Sequence, residues 1–223
     1  MLYLLIPLVI WLVICAVGFA PLIMLRYASF VPVENPIPIF KRAISVVDPA
    51  WIQQTGFRGQ SAIQPLGIPM ALFTNADKTI AMAVYFAGGQ RVVDLVSKFP
   101  GDISLTTSTS IDGPVIPPPP GAMFQSFRNS DSRELLRIHR DGIRFLKTHL
   151  QTQLTPQENV AASMKAFVGR QLAHLCFRPW NILALPCRFA VTRFSRMNLT
   201  LEQQGRKGII KPETLARLAR ESR

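Results

Sequence analysis

Residues 1–25, MLYLLIPLVIWLVICAVGFAPLIML, contain no charged side chain, and Arg26 ends the run. About 20 consecutive apolar residues suffice for a helix to cross a bilayer core. The run therefore predicts a transmembrane anchor over residues 1–26. A cleaved signal peptide would need a basic leading region, a shorter apolar core and a small-x-small cleavage site. Here no Lys or Arg precedes the core, and Pro21 follows the only suitable triplet. A buried soluble helix fits so long a stretch without polar residues poorly. Pro7 falls in the first turn, where its missing N–H costs little, and Pro21 is expected to kink or end the helix. Orientation follows the nearby cations. Arg26, Lys41 and Arg42 come after the run, against Glu34 alone. The expected topology is single-pass in the cell membrane, with the C-terminal side cytoplasmic.

Pro32, Pro36, Pro38 and Pro49 follow closely. Prolines at this density favour extended backbone and disfavour helix, so residues 27–50 read as a Pro-rich stalk. Residues 51–154 read as an α+β domain, a β meander plus a helix over 131–150. MALFT and TIAMAVYFA flank the polar turn NADK, a hairpin pattern. RVVDLVSKF fits a strand or a helical face. ISLTTSTS alternates Ile103 and Leu105 inward before turning polar. Four or five antiparallel strands are expected. The fold class is thus α+β: one N-terminal transmembrane helix, then a small antiparallel sheet packed by C-terminal helices. The run VIPPPPGAMF reads as a polyproline II connector leading to the helix.

The stretch SDSRELLRIHRDGIRFLKTHL, residues 130–150, carries the main functional question. Asp131 and Glu134 make a capping pattern that starts a helix near Ser132. At about 100° per residue, Leu135, Leu136, Ile143, Leu146 and Leu150 form an apolar arc, extended by Ile138 and Phe145. Arg133, Arg137, Arg140, Arg144 and Lys147 form a cationic stripe. Glu134 and Asp141 lie between the two zones and can pair with arginines one turn away. His139 falls near the centre of the apolar arc. A catalytic base needs an orienting partner and a substrate pocket, and the sequence supplies neither. A neutral, hydrogen-bonded imidazole packed on the sheet is expected.

Net charge is +12, and almost all of it lies late in the chain: residues 1–127 carry +1 and residues 128–223 carry +11. Such a bias concerns partners rather than fold. Thr155, Pro156 and Glu158 predict the start of a further helix, forming a hairpin with the previous one. Residues 155–204 read as a basic helical, interfacial segment. From Asn159 to Leu201 there is no acid. Arg178, Trp180, Arg188, Arg193 and Arg196 interleave with phenylalanines there, a composition suited to a phosphate-bearing lipid surface. Nucleic acid is the less favoured partner. Residues 205–223 read as a basic tail helix starting at Pro212.

No cofactor is implied. TTSTS lacks the glycines and lysine of a phosphate-binding loop and the GxSxG of a hydrolase elbow. Cys15, Cys176 and Cys187 form no metal or disulfide framework, and a zinc site is not expected. The expected class is a membrane-anchored structural or interaction protein. Its basic cytoplasmic domain would lie on the inner leaflet or against a larger membrane complex. The alternatives are a membrane-anchored enzyme of unknown reaction using His139, or a tethered nucleic-acid-binding domain.

Overall fold

A computed structural model describes residues 6, 7, 9–16, 20, 24, 30–87, 89–110, 117–177 and 179–222, without the side chains at 179, 185, 189 and 192–194. The chain's central feature is a six-stranded sheet in simple sequence order: β1 (Arg58–Ile63), β2 (Met70–Thr74), β3 (Ile80–Ala87), β4 (Gln90–Lys98), β5 (Ser104–Ser108) and β6 (Ala122–Ser126). Neighbours pair antiparallel from β1 to β5, but β5 and β6 run parallel. The expected antiparallel meander is therefore corrected to a mixed sheet, and the AMF end of the expected polyproline connector belongs to β6. A parallel neighbour requires a crossover, and residues 109–121 supply it. The NADK turn forms as expected: Ile80 N–H donates to Asn75 Oδ1 at 2.9 Å, and Lys78 takes a positive φ of 54°. The ambiguous segment 90–98 is a strand, with Val93, Leu95 and Ser97 on one face and Asp94, Val96 and Lys98 on the other.

The Pro-rich segment is not extended throughout. It contains α1 (Ile37–Val46) and leads into α2 (Pro49–Thr55). The prolines sit at helix starts: Pro36 at the N-cap, Pro38 in the first turn and Pro49 immediately after the Asp48 cap. First-turn N–H groups have no helical acceptor, so proline costs nothing there and presets φ. Proline density alone could not separate helix starts from an extended stalk. α1 packs on β1 and β2, where the Phe40 ring meets Phe73 edge-on at 5.2 Å.

The expected transmembrane anchor is also corrected. Among the described residues, no helix is long and apolar enough to cross a membrane. Residues 6, 7, 9–16, 20 and 24 are helical, and the rest of the run lies outside the described residues. Among the described residues of the run Cys15 alone is buried, and most of the others are exposed. Cys15 is buried, with its thiol 3.7 Å from the carbonyl oxygen of Leu183. The structure thus gives no support to the single-pass membrane assignment.

Five helices follow the sheet: α3 (Ser132–Leu150), α4 (Val160–Cys176), α5 (Pro179–Leu183), α6 (Leu185–Arg196) and α7 (Leu201–Arg206), with α8 (Pro212–Glu221) after them. α3 begins where the capping pattern places it, with Asp131 Oδ1 accepting from Glu134 N–H at 2.8 Å. Its arc, Leu135, Leu136, Ile138, Ile143 and Leu146, packs on the first face of the sheet against Leu95 and Leu105. Leu215 and Leu218 of α8 complete that core. Burying each such side chain contributes about 1.5–3 kcal/mol.

The helical hairpin does not form. Thr155 instead bridges to Lys98, and α4 starts four residues later on an Asn159 cap. α4 then lies over β1 and β2 with Val160 and Ala161 in a second, smaller core that also holds Leu72, Ala81 and Ala83. α3 and α4 therefore cover opposite faces of the sheet. The β-bridge took Thr155 out of the helix that its capping pattern predicted.

Candidate functional site

The cationic stripe of α3 is largely neutralised. Arg137 donates to Glu134 at 2.6 and 2.8 Å and to Asp141 at 3.0 Å, Arg144 pairs with Asp141, and Arg133 reaches Asp48 at 3.2 Å. Arg137 holds the Glu134 carboxyl below its ordinary range through their hydrogen bonds, and Glu134 raises the guanidinium in return. Exposed pairs of this kind contribute little stability, but they leave a face of mixed sign. Arg140 is exposed and Lys147 half-buried. The second basic group is only partly described. Arg178 lies outside the described residues, as does the Arg193 side chain. Trp180 is 75% exposed, and Phe177 beside it 89%. Arg188 donates to Asn181 Oδ1 at 3.4 Å. Burial, and then the charge of Arg188, lower the Arg196 guanidinium from its ordinary value.

His139 is completely buried, and five hydrogen bonds run in one direction through it. Leu201 N–H donates to Gln125 Oε1 at 3.0 Å, and Gln125 Nε2–H donates to Thr107 Oγ1 at 2.8 Å. The Thr107 hydroxyl lies 2.7 Å from His139 Nδ1, and His139 Nε2 lies 3.0 Å from Ser97 Oγ, which itself donates to Thr79 O at 3.0 Å. With Ser97 spending its proton on Thr79, the imidazole must donate from Nε2 and accept at Nδ1. That is the neutral tautomer. Burial, reinforced by Arg140, pushes its pKa down to about 3. Among the described residues no carboxylate hydrogen-bonds to the ring, which has no solvent exposure. The chain ties α7, β6, β5, α3, β4 and the β2–β3 turn together, a structural role.

The other face of the sheet holds a cavity of about 380 Å³ beneath α4. Its origin is the size of the side chains below it. Ala81 and Ala83 on β3 and Ser104, Thr106 and Ser108 on β5 alternate onto this face, and all are short. Met164, Phe167 and Val168 of α4 roof it, and Phe30, Met70 and Phe124 wall it. The floor was not anticipated. The sequence reads as turning polar after Leu105, whereas β5 lies inside the sheet, between β4 and β6. The signal was present as period-two alternation of small residues in SLTTS and in IAMAV.

The surface of this cavity is mostly apolar, and its acidic and basic side chains, Asp94 and Lys98, are four residues apart on β4. At one end Asp94 accepts from Tyr85 Oη at 2.9 Å and from Ser108 Oγ. Burial raises its carboxyl pKa, and these two hydrogen bonds only partly offset it. At the other end Lys98 and Ser104 are direct cross-strand partners. Burial, and then Arg170, lower the Lys98 ammonium, with Asp102 opposing. Ser104 is 1% exposed, and its Oγ has no hydrogen-bond partner. A second pocket of about 200 Å³ lies among Pro118–Pro120, Arg196, Gln204 and Arg217. Neither cavity takes a residue of the α3 stripe into its wall.

No protein-family model matches the chain, and no curated protein or solved structure matches it significantly.

Proposed function

We propose that this protein binds a small, largely apolar molecule in the cavity between the sheet and α4. The observation that carries this reading is the cavity itself, about 380 Å³ with an apolar roof and short-chain floor. Ligand sites are characteristically concave, mostly apolar and equipped with a few placed polar groups, at volumes of about 300–1,000 Å³. The unpartnered Ser104 hydroxyl adds to it, because buried polar atoms are nearly always satisfied and an exception calls for a partner. The class is a binding protein, with no reaction assigned. The test is titration of the full chain with a fluorescent apolar probe, anilinonaphthalene sulfonate, displaced by 1-decanol. Ala83→Leu fills the floor and Ser163→Phe fills the roof from α4. Each should weaken decanol binding about tenfold or more without lowering the melting temperature. Binding by both variants equal to wild type would overturn the assignment.

A second function, peripheral contact of the α5–α6 segment with anionic lipid, is favoured by the exposure of Phe177, Trp180 and Val191 beside Arg188. It involves no spanning element. Aromatic and cationic side chains together suit the headgroup layer. Vesicles containing phosphatidylserine should bind the chain better than phosphatidylcholine vesicles, and Trp180→Ala should lower that binding. Equal affinity for both compositions, or preference for single-stranded oligonucleotides over either, would exclude it.

A further inference from the structure

Two hydrogen-bond donors at one end of the cavity, Lys98 and Ser104, lack acceptors, and a third, on Arg170, lies outside its wall. Lys98 lines the cavity and makes no ion pair among the described residues. Ser104, directly across the β4–β5 ladder from Lys98, keeps its hydroxyl unpartnered although it is 1% exposed. Arg170, the cation whose charge Lys98 senses, spends Nη1 on Asp102, at 2.9 Å from the carboxylate and 3.0 Å from the carbonyl oxygen. Its Nε is buried with no partner. Asp102 is the only acid near this group among the described residues that the charges respond to, and its side chain is 83% exposed. Two cations and a hydroxyl thus face one solvated carboxylate. The opposite end of the cavity is different: Asp94 is there, with its carboxyl already engaged by Tyr85 and Ser108.

We propose that the ligand is an amphipathic anion, an apolar chain bearing one carboxylate or phosphate head. The head is held by Lys98 and Ser104, with the charge of Arg170 nearby, and the chain lies over Ala81, Ala83 and Thr106. This rests on the cavity being the binding site. An anion supplies the acceptor that Lys98 and Ser104 both lack. Charge-assisted hydrogen bonds are about twice as strong as neutral ones, and the dry walls strengthen them further. A carboxylate and a phosphate present the same oxygen acceptors to these donors, and a cationic head would meet two like charges.

Four probes of equal chain length separate the possibilities: decanoate, decyl phosphate, 1-decanol and decylammonium, each titrated below its micelle concentration into the full chain at pH 8. At least one of the two anions should bind about tenfold or more tightly than decanol, and decylammonium most weakly. The tighter of the two anions identifies the head. Lys98→Met should bring the anion's affinity down to that of decanol and leave decanol unchanged. Lys98→Gln provides the same comparison should the methionine variant unfold. Ser104→Ala should weaken the anion by about threefold and decanol not at all. Decanol binding as tightly as both anions, or anion binding indifferent to both Lys98 substitutions, would overturn the head-group assignment while leaving the cavity as a ligand site. Failure of all four probes to bind would remove the cavity reading together with this one.

Discussion

Replacing His139 by Gln should change how stability responds to acid, by an amount the structure sets. The folded imidazole titrates at about 3, whereas an ordinary histidine titrates near 6.5. The unfolded chain therefore binds a proton that the folded chain refuses throughout that window. Linkage then makes stability fall as pH drops from 6.5 toward 3, with none of this loss above pH 7. Each unit of pKa difference corresponds to about 1.4 kcal/mol, so moving from pH 8 to pH 5 should cost wild type about 2 kcal/mol through this residue alone. Gln keeps an N–H donor for Ser97 but leaves the Thr107 hydroxyl without its acceptor, and it has no charge to gain. At pH 8 the variant should be less stable by about 1–3 kcal/mol. At pH 5 the gap should shrink by about 2 kcal/mol. Asp94 acts in the opposite sense: its raised carboxyl favours the folded state at low pH and loses that contribution as pH rises. It is common to both proteins and cancels in the comparison. Urea unfolding followed by far-ultraviolet circular dichroism at pH 8, 6 and 5 gives the three differences. A gap that stays constant across those pH values would show that the ring protonates freely when folded, and the buried, neutral assignment would be wrong.

Two glycines test the packing around the same core. Gly101 takes a φ of 70°, and a methyl there would lie 2.3 Å from the Glu221 carbonyl oxygen. Gly101→Ala should therefore cost about 3 kcal/mol or more and loosen α8, read as a lower urea midpoint and faster amide exchange over residues 212–221. Gly142 brings α3 closest to the sheet, where a methyl would lie 2.9 Å from Gln125 Nε2 and 2.9 Å from Leu105 Cδ2. Gly142→Ala should cost about 1–3 kcal/mol by displacing Gln125 from its bond to Thr107. Unchanged midpoints in either variant would mean that the helix has room to move.

Local chemistry was legible wherever one residue's own hydrogen bond decides the outcome. Asp131 caps α3, Asn75 shapes the β2–β3 turn, and Pro212 opens α8. The arc around His139 was legible too, because a 3.6-residue period fixes a face. What eluded sequence reading depends on partners far along the chain. Thr155 has a good capping pattern, yet a backbone bond to Lys98, 57 positions earlier, takes it into a bridge. Pro36, Pro38 and Pro49 look alike whether they stiffen a stalk or start helices, and the burial of Ala43 and Trp51 decides it. The cavity was hidden for the same reason. Ala81, Ala83 and Ser104 are ordinary strand residues, and their small size matters only because α4 passes above them. The uncharged N-terminal run satisfied the length rule for a bilayer span, but length and hydropathy do not register Cys15 closing on Leu183.

The two outer strands of the sheet are each closed by an irregular piece of backbone. Pro32 bridges Ile63 while Val33 N–H donates to Ala62 O at 2.8 Å, and Met197 bridges Ser126 while Asn198 N–H donates to Ser126 O at 2.8 Å. A free strand edge is a template on which another chain can add a strand, and a proline on the edge removes a donor from that template. With both sides occupied, part of the ladder needed for propagation into a fibre is already spent within one molecule. An added strand from another copy would find only the remaining length of either edge, too short a ladder to register firmly.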